Sequence, residues 1–223
     1  MSPVDLEAPP ADWERLRNWR GHARQKLLAQ RQEMRSYVRR ARGEIAKRLL
    51  QERVALSTFS SLGIYWPIRG EIDFRDVGIR HVEAGGQVGL PVALDRTHSM
   101  EFWSWQPGAP MGLGLWSIPI PKRRDPIVPA ALIVPLLGFD ADGYRLGYGS
   151  GFYDTWLAQT QPRPFCIGLA YDDALLPSIR PQAHDVPMDM IVTDLRVMTR
   201  DRATNAVSWD PPEWATTNRA RLL

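Results

Sequence analysis

Cysteine is almost missing from this chain of 223 residues: Cys166 stands alone. A single thiol excludes an internal disulfide and any zinc site built on cysteines, and it fits a reducing cytoplasm. Its setting, Phe165-Cys166-Ile167-Gly168-Leu169, is apolar, so it reads as a small core residue rather than a nucleophile. Long apolar runs are missing too. Nowhere do about 18 apolar residues follow one another, so no membrane span is expected. The opening MSPVDLEAPPADWERL is acidic and has no apolar segment, so no signal peptide is expected. Neither sign of charge dominates: 28 Lys and Arg face 25 Asp and Glu. The bases do gather in the first quarter of the chain. That mild bias fits solvated helix faces or a small anionic ligand better than nucleic acid, which is not expected as a partner.

What is present centres on residues 131–157, ALIVPLLGFDADGYRLGYGSGFYDTWL. The apolar run Ala131 to Phe139 has strand length and polar turn residues around it, so a buried strand is expected. Asp142-Gly143 signals a turn. Gly147, Gly149 and Gly151 then alternate, with Arg145 just before them. After Gly151 the pattern turns helical, with Phe152, Tyr153, Trp156 and Leu157 on one apolar side and Asp154 in the first turn. Strand, glycine loop and helix start form an arrangement suited to phosphate, because backbone amides and the helix N-terminus converge on an anion. Arg145 adds a forked, charged grip. The loop lacks the Gly-Lys-Ser/Thr ending of a Walker A motif, and Phe152 stands where a dinucleotide fingerprint needs its last glycine. A tight turn that needs glycine angles is the plainer alternative.

The string FDADGYRLGYGSGFYD closely resembles the signature of the 5-formyltetrahydrofolate cyclo-ligase (5,10-methenyltetrahydrofolate synthetase) family, Phe-Asp-x-x-Gly-x-Arg-Leu-Gly-x-Gly-x-Gly-Tyr-Tyr-Asp. Phe152 departs from it by lacking a hydroxyl. The resemblance implies ATP contacts from Arg145, Leu146, Gly147, Tyr148, Gly149, Ser150, Gly151, Phe152 and Tyr153. Tyr148, Gly149, Ser150, Gly151 and Phe152 would also face the folate. Arg145 and Asp154 would be catalytic, with Asp154 on Mg²⁺.

Along the chain, residues 1–10 hold three prolines and read as a loose extension. Residues 11–53 have helical periodicity with a break at Arg35-Ser36, where Ser36 is the expected cap of a second helix. Arg20, Arg24 and Arg31 fall within about 40° of one another around the first helix. They are either surface charges or a face that presents guanidinium groups to a ligand. The family opens with a similar helix that uses its leading Lys and Arg on ATP; Arg20 and Arg24 stand there, with Arg20 in place of Lys and Ala23 in place of Leu.

Leu62 to Ile68 reads as a second buried strand and leads through Arg69-Gly70-Glu71 to a helix from Asp73. A strand's carboxyl end before a helix is where ligands collect in α/β sheets. Glu71 is thus either a ligand contact or a helix N-terminal acid favoured by the dipole. The resemblance implies that Glu71 and Trp66 contact folate. Residues 86–94 and 101–105 read as strands, and 106–126 as a long Pro- and Gly-rich loop. Within that loop Trp116 is a candidate surface for a flat pterin ring; Ile120 stands where the family often has Glu. Residues 165–171 and 188–193 read as further strands, the second being the last. His184-Asp185-Val186 between them matches a family element whose Asp, here Asp185, helps bind Mg²⁺; a lone His184 reads as structural. From Val197 to Leu223 the chain reads as a polar tail.

Helices followed by alternating strands and helices predict a single α/β domain with a mostly parallel central sheet. The resemblance sharpens this to a three-layer α/β/α sandwich of Rossmann-like topology with N-terminal helices. It implies an ATP- and Mg²⁺-dependent enzyme that converts 5-formyltetrahydrofolate to 5,10-methenyltetrahydrofolate, acting on small molecules in the cytoplasm without a membrane. Two alternatives stand beside it: a non-catalytic relative that binds ATP, folate or nucleic acid, and a sugar-phosphate isomerase-like enzyme on a similar fold, for which no second motif is present.

Overall fold

The computed structural model describes residue 6 and residues 8–210. Helices α1 (Trp13–Glu33) and α2 (Ser36–Arg53) open the chain. Strand β1 (Ser61–Gly63), helix α3 (Arg75–Glu83), β2 (Gln87–Ala93) and β3 (Met100–Ser104) follow. A hairpin of β4 (Met111–Leu113) and β5 (Pro119–Pro121) precedes β6 (Pro126–Ile127) and β7 (Ala131–Pro135). Next come β8 (Gly138–Asp140), β9 (Arg145–Leu146), α4 (Phe152–Gln159) and β10 (Phe165–Leu169). The described chain closes with β11 (Leu175–Leu176), β12 (Met190–Val192), β13 (Val197–Arg200) and β14 (Val207–Asp210).

Nine strands form one sheet in the order β14-β13-β12-β10-β7-β1-β2-β3-β6. The five central strands, β12 to β2, pair in parallel. Antiparallel strands border them on both sides. Alternate residues feed two cores, as a sheet covered on both faces requires. Ala131, Ile133, Met190 and Val192 join α2 and α3 residues in one core. Leu132, Val134 and Ile191 join Ala23 and Leu27 of α1 and Leu157 of α4 in the other. The small sheet β11-β8-β9 lies in that second layer with α1 and α4. The three-layer α/β/α expectation holds.

Several boundaries differ from the sequence reading. The run 131–139 is two strands in different sheets, because Pro135 lacks the amide needed to extend a ladder. Of residues 62–68 only the first two lie in β1. The chain then turns toward Pro67, tied down where the Tyr65 hydroxyl donates to the Ile72 carbonyl at 2.6 Å. The long loop 106–126 holds the β4–β5 hairpin. Ser36 is the first residue of α2, and Arg35 takes the cap position without a side-chain bond. Residues 197–210 are not a polar tail: Val197 and Met198 are buried in β13, and β14 pairs beside it. Residues 211–223 of that expected tail lie outside the described residues, as do 1–5 and 7 of the expected N-terminal extension. Leu6 packs against the second core. Among the described residues no helix is long and apolar enough to cross a membrane.

Candidate active site

Taken in chain order, the five central parallel strands are β1, β2, β7, β10 and β12. The sheet runs outward in both directions from β1 and β7, which lie side by side. Successive crossovers leave that point toward opposite edges, and open α/β sheets bind ligands there, beyond the strands' carboxyl ends. A cavity of about 420 Å³ occupies this position. Pro135 at the end of β7 and Tyr65 and Trp66 beyond β1 line it. Every site residue expected from the sequence lines it too, although the chain draws them from five separate segments.

The glycine loop follows the two-residue strand β9 and leads into α4. Gly149 has φ 100° and Gly151 φ 66°, the left-handed region that favours glycine. A side chain at Gly149 would also meet the Arg24 guanidinium carbon at 3.1 Å. Gly151 caps α4 and supplies no side-chain bond, so the first-turn amides lack an internal partner from it. Three groups from elsewhere hold the loop. The Arg24 Nε donates to the Gly147 carbonyl at 2.8 Å. His98, in the turn between β2 and β3, sets its Nδ1 2.5 Å from the Ser150 carbonyl. The Tyr148 hydroxyl donates to Glu71 at 2.9 Å.

The arginine face of α1 docks inward. Arg20 and Arg31 are buried. Arg20 donates to the carbonyls of Ile179 and Arg180 and pairs with Asp185 at 2.7 Å. Arg31 donates to the Leu136 carbonyl. Burial, and then repulsion from Arg20, lower the Arg24 pKa. Two neighbouring guanidinium groups in a partly dry wall favour an anion. Arg145 is held as firmly: it donates to the Val186 carbonyl at 2.8 Å and pairs with Asp154 at 2.7 Å. The same Asp154 oxygen accepts the Val186 amide at 3.0 Å. Asp154 and Asp185, the expected Mg²⁺ carboxylates, thus each lie against an arginine on the cavity wall. Among the described residues no three His, Cys, Asp or Glu side chains come together to hold a metal ion.

Across the cavity, Glu71 accepts the Ile68 amide at 2.8 Å through its other oxygen. Its bonds therefore go to its own turn and to the glycine loop rather than to the start of α3. Burial raises its carboxyl pKa above the usual carboxylate range, against the lowering effect of those bonds. Burial also pushes the Tyr148 phenol up, so it remains a donor. The Trp66 ring has the Arg75 guanidinium over it, 4.5 Å from its centre, and meets Trp105 at nearly right angles. Trp116, at the hairpin tip, keeps 56% of its surface exposed and has a left-handed backbone with φ 57°. It meets Phe152 edge-on at 5.6 Å. Phe152 in turn meets His98 at 5.8 Å, so a ring without a hydroxyl sits between two other rings.

The profile of the 5-formyltetrahydrofolate cyclo-ligase family matches residues 16–194. The chain belongs to this family. It is 30% identical over 149 residues to the Escherichia coli K12 5-formyltetrahydrofolate cyclo-ligase, covering 61% of this chain and 79% of that one. The Haemophilus influenzae cyclo-ligase is 31% identical over 155 residues, with 66% and 81% covered. The Aquifex aeolicus 5,10-methenyltetrahydrofolate synthetase, solved by NMR, superimposes with a TM-score of 0.70 at 25% identity, covering 80% of this chain and 91% of that one.

In this cyclo-ligase-family member, the sequence reading missed residues that reach the site by tertiary folding alone. His98 lies in a polar turn, Asp95 to Ser99, with no motif around it. Tyr65 and Arg69 flank the expected positions Trp66 and Glu71 but carry no pattern of their own. His184 lines the cavity, as does Ile120 where the family often has Glu. Cys166 is buried as expected, its thiol pKa pushed up to about 11 mainly by that burial.

Proposed function

We propose that the chain acts as one α/β unit in the cytoplasm and converts 5-formyltetrahydrofolate to 5,10-methenyltetrahydrofolate with ATP. The observation that carries this is the 2.9 Å bond between Tyr148 and Glu71. It joins a glycine loop suited to phosphate to a carboxyl group suited to folate, inside a single cavity. A formyl oxygen is a poor leaving group, so its attack on the γ-phosphorus, with cleavage of the bond to ADP, makes it a phosphate. Nitrogen 10 of the folate then attacks the formyl carbon and loses its proton, and phosphate leaves with the carbon–oxygen electron pair. Such a sequence asks the protein mainly for alignment and charge stabilisation. The loop amides, Arg24 and Arg145 would hold the phosphates. Trp66 and Trp116 would bracket the flat ring, and Glu71 would orient it.

The donor set fits Mg²⁺, which takes one or two carboxylates and completes its shell with phosphate oxygens and water. Asp154 and Asp185 would hold it, and it would neutralise charge on the transferring phosphoryl group. Incubating the protein with 5-formyltetrahydrofolate, ATP and Mg²⁺ tests the reading. The conjugated methenyl product should appear as a new near-ultraviolet absorbance with stoichiometric ADP. Omission of any one component should abolish it. Nucleotide binding without product, by a folded protein, would favour a non-catalytic role.

A further inference from the structure

His98 lies outside the family motif, and the proposed reaction assigns it nothing. It nevertheless makes the tightest polar contact to the glycine loop from another segment, Nδ1 to the Ser150 carbonyl at 2.5 Å. A carbonyl only accepts, so Nδ1 must carry the proton in this bond. The contact is built at some cost. His98 has φ 76°, a left-handed conformation uncommon for a residue with a side chain, though histidine tolerates it better than most. The turn that presents it is pinned from within: Asp95 accepts the Thr97 amide and hydroxyl, both at 2.7 Å, and the Ser99 amide at 3.3 Å. The ring also packs edge-on against Phe152, the first residue of α4.

The consequence follows from peptide geometry. In a trans peptide the carbonyl and the following amide point in opposite directions. A carbonyl fixed toward one side therefore fixes the amide of the next residue toward the other. His98 does this to the Ser150–Gly151 peptide, and Arg24 does it to the Gly147–Tyr148 peptide. Ser150 and Gly151 line the cavity, and with its carbonyl held by His98 the Ser150–Gly151 peptide directs the Gly151 amide away from the imidazole. Glycines on both sides of Ser150, each with positive φ, would otherwise let this peptide turn freely.

We propose that His98 is a positioning residue that sets the Gly151 amide for a nucleotide phosphate. This rests on the nucleotide-binding half of the function proposed above. His98→Gly tests it while keeping the left-handed turn, since glycine adopts that backbone without strain. His98→Asn is its counterpart: its side-chain amide places a donor close to the Nδ1 position, and asparagine also tolerates the backbone. For both variants and the parent, the KM for ATP and for 5-formyltetrahydrofolate would be measured, with a thermal melt and calorimetric titration of a non-hydrolysable ATP analogue. His98→Gly should raise the ATP KM and the analogue Kd about fivefold, the size expected for one hydrogen bond. The folate KM should stay within about twofold, and His98→Asn should recover most of the loss. Unchanged nucleotide affinity in a folded His98→Gly protein would overturn the proposal. So would an equal rise in both KM values, or an Asn variant as impaired as the Gly variant. A parent protein that binds the analogue but forms no methenyl product would refute the reaction and still leave His98 judged by the titration. A parent that binds no nucleotide would refute both.

Discussion

Glu71 keeps a carboxyl group half-buried between a backbone amide and the Tyr148 hydroxyl. Burial raises its pKa from the ordinary 4.5, and the sign of the effect on stability follows. Well below that value the group is protonated in the folded and the unfolded chain alike and contributes no pH dependence. Between the ordinary value and the raised one, the unfolded chain releases the proton while the folded chain keeps it. Folding is therefore penalised progressively as pH rises through this window, and the penalty persists above it. Glu71→Gln removes the ionisable group and keeps an oxygen acceptor. The variant should melt no lower than the parent at pH 7, and its advantage should shrink toward pH 4. Its folate KM should rise far more than its ATP KM. Thermal melts across that pH range and paired kinetics check both, and a variant that melts lower at pH 7 would show the carboxylate to be a net stabiliser.

Helix α1 is the element whose role changed most on folding. Its spacing marked Arg20, Arg24 and Arg31 as one face, but spacing cannot say what the face meets. In the fold Arg20 satisfies two carbonyls and pairs with Asp185, with 8% and 11% of the two side chains exposed. Breaking a pair so well covered strands the remaining charge. Arg20→Gln should therefore lower stability by about 3 kcal/mol, seen as a shift in the urea midpoint. Arg20→Lys, which restores the residue common in the family, should lose less because the charge remains while the fork is lost. A silent Arg20→Gln variant would return this residue to the solvated surface. The legibility of the other elements follows the same line. The glycine motif, Asp154 and Glu71 were readable because each lies in an unbroken stretch of strand end, turn and helix start that carries the family resemblance, although their bonding partners are distant in the chain. The central strands were readable because apolar runs of that length have few alternatives. His98 was not readable, since fifty residues separate it from the loop it holds. Nor was β13, where the consecutive residues Val197 and Met198 face opposite cores and show no alternation.

At the scale of the whole molecule, the sheet places its crossover reversal between β1 and β7 and puts the cavity there, while its edges serve stability. The strand pair β13–β14 covers the side of β12, buries Val197 and Met198, and stacks Trp209 on Phe139 at 6.0 Å. Phe139 opens the glycine motif, so an edge strand packs against the segment that leads into that loop. A chain truncated after Arg196 should lose those contacts and expose the β12 edge. The expected outcome is aggregation or a melting point at least about 10 °C lower, read by light scattering and calorimetry. Full solubility with an unchanged melt would show the edge pair to be dispensable.

The arginines of α1 carry one more implication, for the order in which the protein is made. Their partners are the carbonyls of Leu136, Gly147, Ile179 and Arg180, which lie 105 to 160 residues further along. At a synthesis rate of about 5–20 residues per second, the ribosome needs on the order of ten seconds to supply them. Until then the α1 arginines have none of those partners. Charge on its docking face keeps the nascent segment soluble where a leucine stripe would invite aggregation. Those bonds can close only after the segments that supply the carbonyls have been made, so docking of the α1 arginine face waits on the second half of the chain.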